Sequence, residues 1–174
     1  MGEIPSALQY NPRMIEIRPL QPHETEAAKW VIASVAQRIY YPDQTPQYFY
    51  DVLAEEGELR DVEDYQRIYT GDHGLFLAVL DDGRLVGTGA VKHLEADIAE
   101  LKRLWLLEEY HGQRLGYQVV QRLLAFARAQ GWSRIRLQTG SEQVRALAFY
   151  KKLGFVEIPS YRESMDNVSM ELKL

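Results

Sequence analysis

A strand, a short polar turn and a helix follow one another between Ala99 and Ala127, and this unit most limits how the chain can fold. "AELKRLWL" has the composition of a strand, and the "HGQRLG" that comes soon after it contains two glycines. The next residues carry apolar side chains at the helical period, at Val119, Val120, Leu123, Leu124 and Ala127. An amphipathic helix beside a strand buries its apolar stripe by packing on the sheet, which predicts an α/β domain.

The remaining segments extend this pattern in both directions. "MIEIRPL" alternates apolar and charged residues as a strand does, and an apolar stripe from Ala28 to Ile39 predicts a helix that ends before Pro42. "GLFLAVL" and "RLVGTGAV" flank "DDG" and predict a β-hairpin. "RIRLQTG", "FVEIPSY" and "NVSMELKL" favour strands, while "SEQVRALAFYKKLGF" favours a helix. The predicted element order is β-α-α-β-β-β-α-β-α-β-β.

Length and charge limit the domain count and the partners. The 174 residues are enough for one domain with its own core, so we expect a single domain over residues 1–174. The absence of cysteine excludes disulfides and is compatible with a reducing cytoplasm. A net charge of −5 disfavours nucleic acid as a partner. No segment has the apolar length of a membrane span, so a cytoplasmic protein without a membrane partner is predicted.

The glycines of the turn suggest an anion site near Gly112 and Gly116. The first N–H groups of a helix have no partner within the helix and lie at the positive end of its dipole, where phosphates bind. Glycine lets the backbone come close to such oxygens. A plain loop contains the same residues, and the turn matches neither of the two familiar phosphate-loop patterns. The residues alone leave both interpretations open.

Two stretches resemble motifs of a known family, the GNAT superfamily of acetyl-CoA-dependent N-acetyltransferases. "ELKRLWLLEEYHGQRLGYQVVQRLL" is similar to its motif A, and "QVRALAFYKKLGF" is similar to its motif B. The predicted element order is also that of the GNAT fold, so the resemblance covers almost the whole chain. It implies a mixed, mostly antiparallel twisted sheet of about seven strands with about four helices, and acetyl-CoA as cosubstrate without a metal.

The resemblance also implies a coenzyme A site made of a loop, a strand end and an amide side chain. The loop residues are His111, Gly112, Gln113, Arg114, Leu115, Gly116 and Tyr117, the strand residues are Leu104, Trp105 and Leu106, and the amide is Gln143. The strand residues would bind the pantetheine arm through their backbone, although plain core leucines would look the same in the sequence. His111 stands where the family has Arg or Gln, and Arg114 replaces the first motif glycine. Main-chain donors tolerate both changes, and Arg114 can add a charge-assisted bond to a phosphate.

Acetyl transfer to an amine needs a neutral amine, a stabilised oxyanion and a proton for the leaving thiolate. The resemblance implies Tyr150 as the general acid. The pKa of a phenol, about 10, is close to that of a thiol, so the proton moves with little penalty. Glu100 is the candidate base, and a charge on the strand surface is the competing interpretation. Some relatives carry a glutamate where this chain has Gln138, and an amide cannot accept the proton.

The resemblance places the acceptor beside the segment from Tyr40 to Tyr69, where we expect one or two short helices. Its aromatic and acidic side chains suit a cationic amine, but a solvated helix face has the same composition. The expected function is direct acetyl transfer to a small-molecule or peptide amine. A module that senses acyl-CoA without turnover and a purely structural domain are the alternatives. The open edges of such a sheet are compatible with a homodimer.

Overall fold

Seven strands form one mixed sheet in the computed structural model, which describes residues 13–164 and 166–174. The strands are β1 (Ile15–Pro19), β2 (Gly74–Asp81), β3 (Arg84–Glu95), β4 (Ile98–Leu106), β5 (Arg134–Thr139), β6 (Val156–Ile158) and β7 (Val168–Lys173). Their order across the sheet is β1-β2-β3-β4-β5-β7-β6. The pairing is antiparallel except between β4 and β5, which are parallel. The predicted fold class is therefore confirmed.

Six α-helices accompany the sheet in the described part of the chain. They are α1 (Thr25–Tyr40), α2 (Pro46–Glu55), α3 (Arg60–Glu63), α4 (Tyr65–Ile68), α5 (Leu115–Ala129) and α6 (Val144–Lys152). The sequence predicts about four helices, and the difference lies between residues 40 and 69, which hold three short helices rather than one or two. α3 and α4 have four residues each, so they depend on packing and not on their own helical propensity.

Apolar side chains fill both faces of the sheet. α5 and α6 cover one face, whose core includes Val79, Val91, Leu101, Val120, Leu123 and Ile135. α1, α3 and α4 cover the other face, whose core includes Ala28, Ile32, Val62, Tyr69, Phe76 and Ala90. The helical stripe predicted for α5 is buried as expected. Within the described ranges, no helix combines the length and the apolar character that crossing a bilayer requires.

Two glycine positions in the hairpin explain its local geometry. Asp82 and Gly83 have φ angles of 48° and 83°, the left-handed conformation that a two-residue turn between twisted strands requires. Further along β3, Gly89 faces α5, and a Cβ atom built there would lie 2.4 Å from Cγ1 of Val119. The missing side chain at Gly89 therefore lets α5 approach the sheet.

The close approach at Gly89 predicts a difference between two identical substitutions. Gly89→Ala should lower the free energy of unfolding by about 1–3 kcal/mol, because the added methyl group overpacks the contact with α5. Gly116→Ala should not lower it, because the nearest atom to a Cβ there is Cζ of Phe149 at 3.9 Å and alanine favours a helix. Denaturant unfolding of both variants checks this. Equal losses in the two variants would contradict the packing argument.

Candidate functional site

β4 and β5 part from each other in the middle of the sheet. Their parallel pairing runs only from Ile98 opposite Arg134 to Glu100 opposite Arg136. Beyond Lys102, β4 contains a bulge at Arg103, whose φ is 55°, and the hydroxyl of Thr88 donates to the Arg103 carbonyl over 2.6 Å. The two strands therefore splay apart after these three residue pairs. The rest of β4, including Leu104, Trp105 and Leu106, has an edge that no strand of the described ranges pairs with.

The bulge is held by a half-buried ion pair. The Arg103 guanidinium donates to Asp61 of α3 over 2.5 and 3.1 Å, and Asp61 also accepts a hydrogen bond of 2.6 Å from Tyr69. A positive φ at a residue other than glycine costs roughly 1–2 kcal/mol, so this pair compensates for strain in β4. β4, α3 and the residue that follows α4 are thus tied together at the point where the sheet opens.

Two cavities open on either side of this gap. The first, which we call the loop cavity, has a volume of about 1020 Å³ and lies between the end of β4, the start of α5 and α6. The second, the helix cavity, has a volume of about 680 Å³ and lies between α1, α2, β4 and the segment 162–166. Both are large enough for a small-molecule ligand.

Free backbone N–H groups surround one end of the loop cavity. From Gly112 to Tyr117, six consecutive amides donate no hydrogen bond to any residue that the structure describes. Gly112 and Arg114 have φ angles of 77° and 61°, and α5 starts at Leu115. A run of free amides at a helix N-terminus is an anion site, so the local structure fits a phosphate group.

Arg114 adopts the conformation that glycine would adopt at the same position. Glycine adopts this left-handed φ without strain, which explains why the family motif has a glycine there. Because Arg114 adopts the same φ, the backbone of the loop keeps its path. His111 closes the loop from the other side, since its Nε2 lies 2.9 Å from the Leu106 carbonyl oxygen. Both departures from the family motif are thus compatible with a loop whose amides face the cavity.

The other predicted loop residues differ in their position. His111, Gly112, Arg114, Leu115, Gly116 and Tyr117 line the loop cavity. Gln113 does not, because its side-chain amide turns back to donate to the Glu109 carbonyl over 3.2 Å. A contribution of Gln113 to a ligand site would therefore come from its backbone.

Additional positive charges line the loop cavity. Arg145 and Lys152 of α6 face it together with Arg114, and Arg38 of α1 lies at its edge in an ion pair of 3.0 Å with Glu108. Sequence reasoning did not single out Arg145 and Lys152. They are seven positions apart, which places them on one face of α6, but only the packing of α6 beside the loop reveals which face.

The helix cavity combines apolar walls with charged groups. Ile32, Ala36, Tyr41, Phe49, Val52 and Leu53 provide the apolar walls. Glu56, Glu58, Glu142, Glu163 and Asp166 provide carboxylates, and Lys102 provides an ammonium. The segment 40–69 thus contributes to a cavity wall through α2. Tyr65 and Tyr69 of the same segment are buried in the core and do not line it.

The two cavities share a wall. Leu104, Trp105, Glu142, Gln143 and Tyr150 line both of them. Gln143 stands at the start of α6, and its amide donates to the Tyr40 hydroxyl over 2.6 Å, which ties α6 to α1 across this wall. A ligand in one cavity would therefore meet a ligand in the other beside Tyr150.

Tyr150 is held rigidly at this junction. Its ring is 7% exposed and packs edge-to-face on Phe155, with 5.6 Å between the ring centroids. In the described part of the chain its hydroxyl makes no hydrogen bond, although it lines both cavities. Burial raises the pKa of Tyr150, and the nearby Asp166 carboxylate adds to this. The phenol is therefore protonated at neutral pH.

Glu100 is not a surface charge, so that interpretation of the sequence is wrong. It is 1% exposed and lines the helix cavity. Its Oε1 accepts hydrogen bonds from Tyr161 over 3.0 Å and pairs with Arg162 at 2.7 Å, and its Oε2 lies 3.8 Å from Lys92. Oε2 has no hydrogen bond within the described residues.

Gln138 belongs to the same contact network. Its amide nitrogen donates to the Arg162 carbonyl over 2.9 Å, and its amide oxygen accepts from the Arg162 guanidinium over 3.1 Å. Gln138 thus holds the segment 160–162 over the helix cavity by hydrogen bonds. In residues 13–164 and 166–174, no cluster of His, Asp or Glu side chains is arranged to hold a metal ion.

Comparison with known proteins agrees with this geometry. The family model described as "Acetyltransferase (GNAT) family" matches residues 36–155. The IAA acetyltransferase of Azospirillum brasilense is 34% identical over 83 residues, which are 47% of this chain and 54% of the relative. The chain spans about half the length of the curated relatives it matches.

Solved structures share the fold over nearly the whole chain. An acetyltransferase of the GNAT family from Staphylococcus aureus Mu50 superposes with a TM-score of 0.77 at 20% identity, over 92% of this chain and 99% of that one. The PaiA N-acetyltransferase of Thermoplasma acidophilum, in complex with coenzyme A, gives a TM-score of 0.75 at 25% identity over the same shares. With the parted strands, the open amide loop and a family match over most of its length, the chain belongs to the GNAT acetyltransferase family.

Proposed function

We propose that the protein transfers the acetyl group of acetyl-CoA directly to an amine. The observation that carries this proposal is the shared wall of the two cavities, which would bring a donor and an acceptor together beside Tyr150. The loop cavity takes the coenzyme, and the helix cavity takes the amine. Acetyl-CoA supplies an activated acyl group and a thiolate leaving group.

The loop cavity fits coenzyme A in shape and charge. The amides from Gly112 to Tyr117 bind the pyrophosphate, and Arg114, Arg145 and Lys152 supply positive charge around it. The open backbone edge of Leu104 to Leu106 pairs with the pantetheine amides as an added strand would. Gln143 lies where the two cavities meet and contacts the same arm.

Tyr150 acts as the general acid in this proposal. Its phenol is protonated and lines both cavities, so it can donate a proton to the sulfur as the carbon–sulfur bond breaks. The site that raises the pKa of the phenol also disfavours a bare thiolate, because burial penalises both anions. The pKa values of the phenol and the thiol are therefore raised together, and the proton transfer between them costs little.

Glu100 is retained as the predicted base, with a defined structural constraint. Only its Oε2 is without a hydrogen bond in the described residues, while Oε1 is occupied by Tyr161 and Arg162. A water molecule between Oε2 and the amine would be needed to carry the proton. Glu100 also holds Tyr161 and Arg162 over the helix cavity. A substitution of Glu100 would therefore remove both the base and this structural contact.

The function is tested first by binding and then by turnover. Acetyl-CoA should raise the melting temperature of the protein in a thermal-shift titration, because it binds the folded state. Adding a panel of amines should then release free coenzyme A, measured with a thiol reagent. No thermal shift at saturating acetyl-CoA would overturn the proposal. A shift without thiol release from any amine would indicate the non-catalytic acyl-CoA sensor instead.

Tyr150→Phe should lower kcat by at least tenfold and leave acetyl-CoA affinity within about twofold, because only the proton donor is removed and the ring packing stays. Steady-state kinetics and a titration with acetyl-CoA measure the two effects. Tyr65→Phe is the matched control, since Tyr65 is also a buried tyrosine but lines neither cavity. An unchanged kcat in Tyr150→Phe would remove this residue from the mechanism.

Arg114 allows its backbone and side-chain contributions to be separated. Arg114→Gly and Arg114→Ala should both weaken acetyl-CoA binding several-fold, because each removes the guanidinium. Arg114→Gly should be more stable to denaturant than Arg114→Ala by about 1 kcal/mol, since glycine adopts the positive φ without strain. Wild-type affinity in both variants would mean that Arg114 makes no phosphate contact.

A further inference from the structure

An ammonium without a counter-ion lines the helix cavity. Lys102 lies on β4 two positions after Glu100, so strand alternation places both on the face turned away from α5. The two carboxylates that act most on its charge form ion pairs with other residues, Glu100 with Arg162 and Asp61 with Arg103. Among the residues that the structure describes, no carboxylate forms an ion pair with Lys102.

Leaving this charge unpaired has a cost. Burial lowers the pKa of Lys102, and the positive charges of Arg103 and Lys92 lower it further, while Glu100 and Asp61 oppose the shift. A half-buried ammonium without a partner is unfavourable unless something satisfies it. Because Lys102 faces a cavity, an anionic group of a ligand can do so.

A carboxylate of opposite sign lines the same cavity. Asp166 is half-buried, and its side chain makes no hydrogen bond in the described ranges. Burial raises the pKa of Asp166, while Lys102, Arg103 and Arg162 lower it and Glu58 raises it. The Asp166 carboxylate also raises the pKa of the Tyr150 and Tyr40 hydroxyls, and all three residues line the helix cavity.

We infer that the acceptor is an α-amino acid with an apolar side chain, whose carboxylate is bound by Lys102 and whose ammonium proton is taken up by Asp166. The two charges line one cavity without forming an ion pair with each other, which is what a zwitterion between them requires. The apolar walls from α1 and α2, including Ile32, Phe49 and Leu53, receive the side chain. This inference rests on the proposed function and names its substrate class.

The proton balance of the step is complete. The ammonium gives one proton to Asp166, and the neutral nitrogen bonds to the acetyl carbon as the carbon–sulfur bond breaks. The nitrogen loses a second proton through water to Glu100, and the sulfur receives one from Tyr150. Asp166 and Glu100 then release their protons to solvent, and Tyr150 regains one proton from it. The net reaction forms an N-acetylamino acid and free coenzyme A and releases one proton.

A polycationic acceptor is the competing possibility. Glu56, Glu58, Glu142 and Glu163 surround the cavity and would attract it. These four side chains are exposed, so solvent and salt screen them, whereas Lys102 is half-buried and would lie beside such a cation. The charges inside the cavity therefore favour the zwitterion over the polyamine.

Matched pairs of amines test the inference. Thiol release is measured with phenylalanine, leucine and tyrosine, each beside its carboxamide, and with spermidine. We expect kcat/KM at least tenfold higher for the acids, although the carboxamides have the more reactive neutral amine at pH 7. Equal or higher kcat/KM for the carboxamides, or for spermidine, would overturn the inference while leaving the proposed function intact.

Variants at Lys102 show whether this residue is responsible. Lys102→Met should raise KM for the acids at least tenfold and bring the preference for acid over carboxamide close to one, and Lys102→Arg should restore most of it. Lys173→Met is the control, since Lys173 is an exposed strand lysine outside both cavities. A preference that survives in Lys102→Met would overturn the role of Lys102.

Asp166→Asn distinguishes this carboxylate from Glu100. Asp166→Asn should lower kcat for the acids at least tenfold at pH 7. At higher pH the free amine is already deprotonated, so kcat of the variant should return toward the wild-type value. A wild-type pH profile in Asp166→Asn would overturn its role as proton acceptor. No thiol release from any pair would also overturn the inference, whereas the proposed function fails only if the whole amine panel is inactive or acetyl-CoA does not bind.

Discussion

The separation of β4 from β5 is the constraint on which the rest of the site depends. Three residue pairs hold the strands together, and beyond Glu100 the backbone of β4 has no strand partner on that side among the residues that the structure describes. Unpaired backbone groups in a sheet must be satisfied by water or by a ligand. The sheet thus contains an opening in its middle, and the N-terminus of α5, the start of α6 and the face of α1 all converge on it.

Two ion pairs maintain this opening from opposite directions. Arg103 and Asp61 connect the bulge of β4 to α3, while Glu100 and Arg162 connect the paired part of β4 to the segment before β7. Glu100 is buried and Arg103 is half-buried, so removing the partner of either would leave a poorly solvated charge without compensation. Lys102 lies between the two pairs in sequence and is the charge on this strand that neither uses. Of the charged residues in these pairs, Glu100, Arg103 and Arg162 also line the helix cavity.

Local patterns in the sequence were sufficient for the strands, the hairpin and the long helices. Val119, Val120 and Leu123 are buried where their spacing predicts, and the turn at Asp82 and Gly83 has the backbone that "DDG" indicates. Helix count was underestimated because α3 and α4 form only a single turn each and depend on contacts such as that of Asp61 with Arg103. Burial of Glu100 was not predictable, since alternation along a strand separates two faces without saying what covers them.

The sequence by itself determined which residues can do chemistry and which segments are strands, loops and helices, because those properties depend on neighbours within a few positions. It placed the amides of Gly112 to Tyr117 at a helix start and Tyr150 in a helix. Only the tertiary structure decided that Tyr150 lies between two cavities and that Tyr161 and Arg162 reach Glu100 from about 60 positions away. It also decided that Lys102 has no counter-ion within the described part of the chain. These relations depend on contacts between side chains that are far apart in the chain, and the local patterns of a sequence do not predict such contacts.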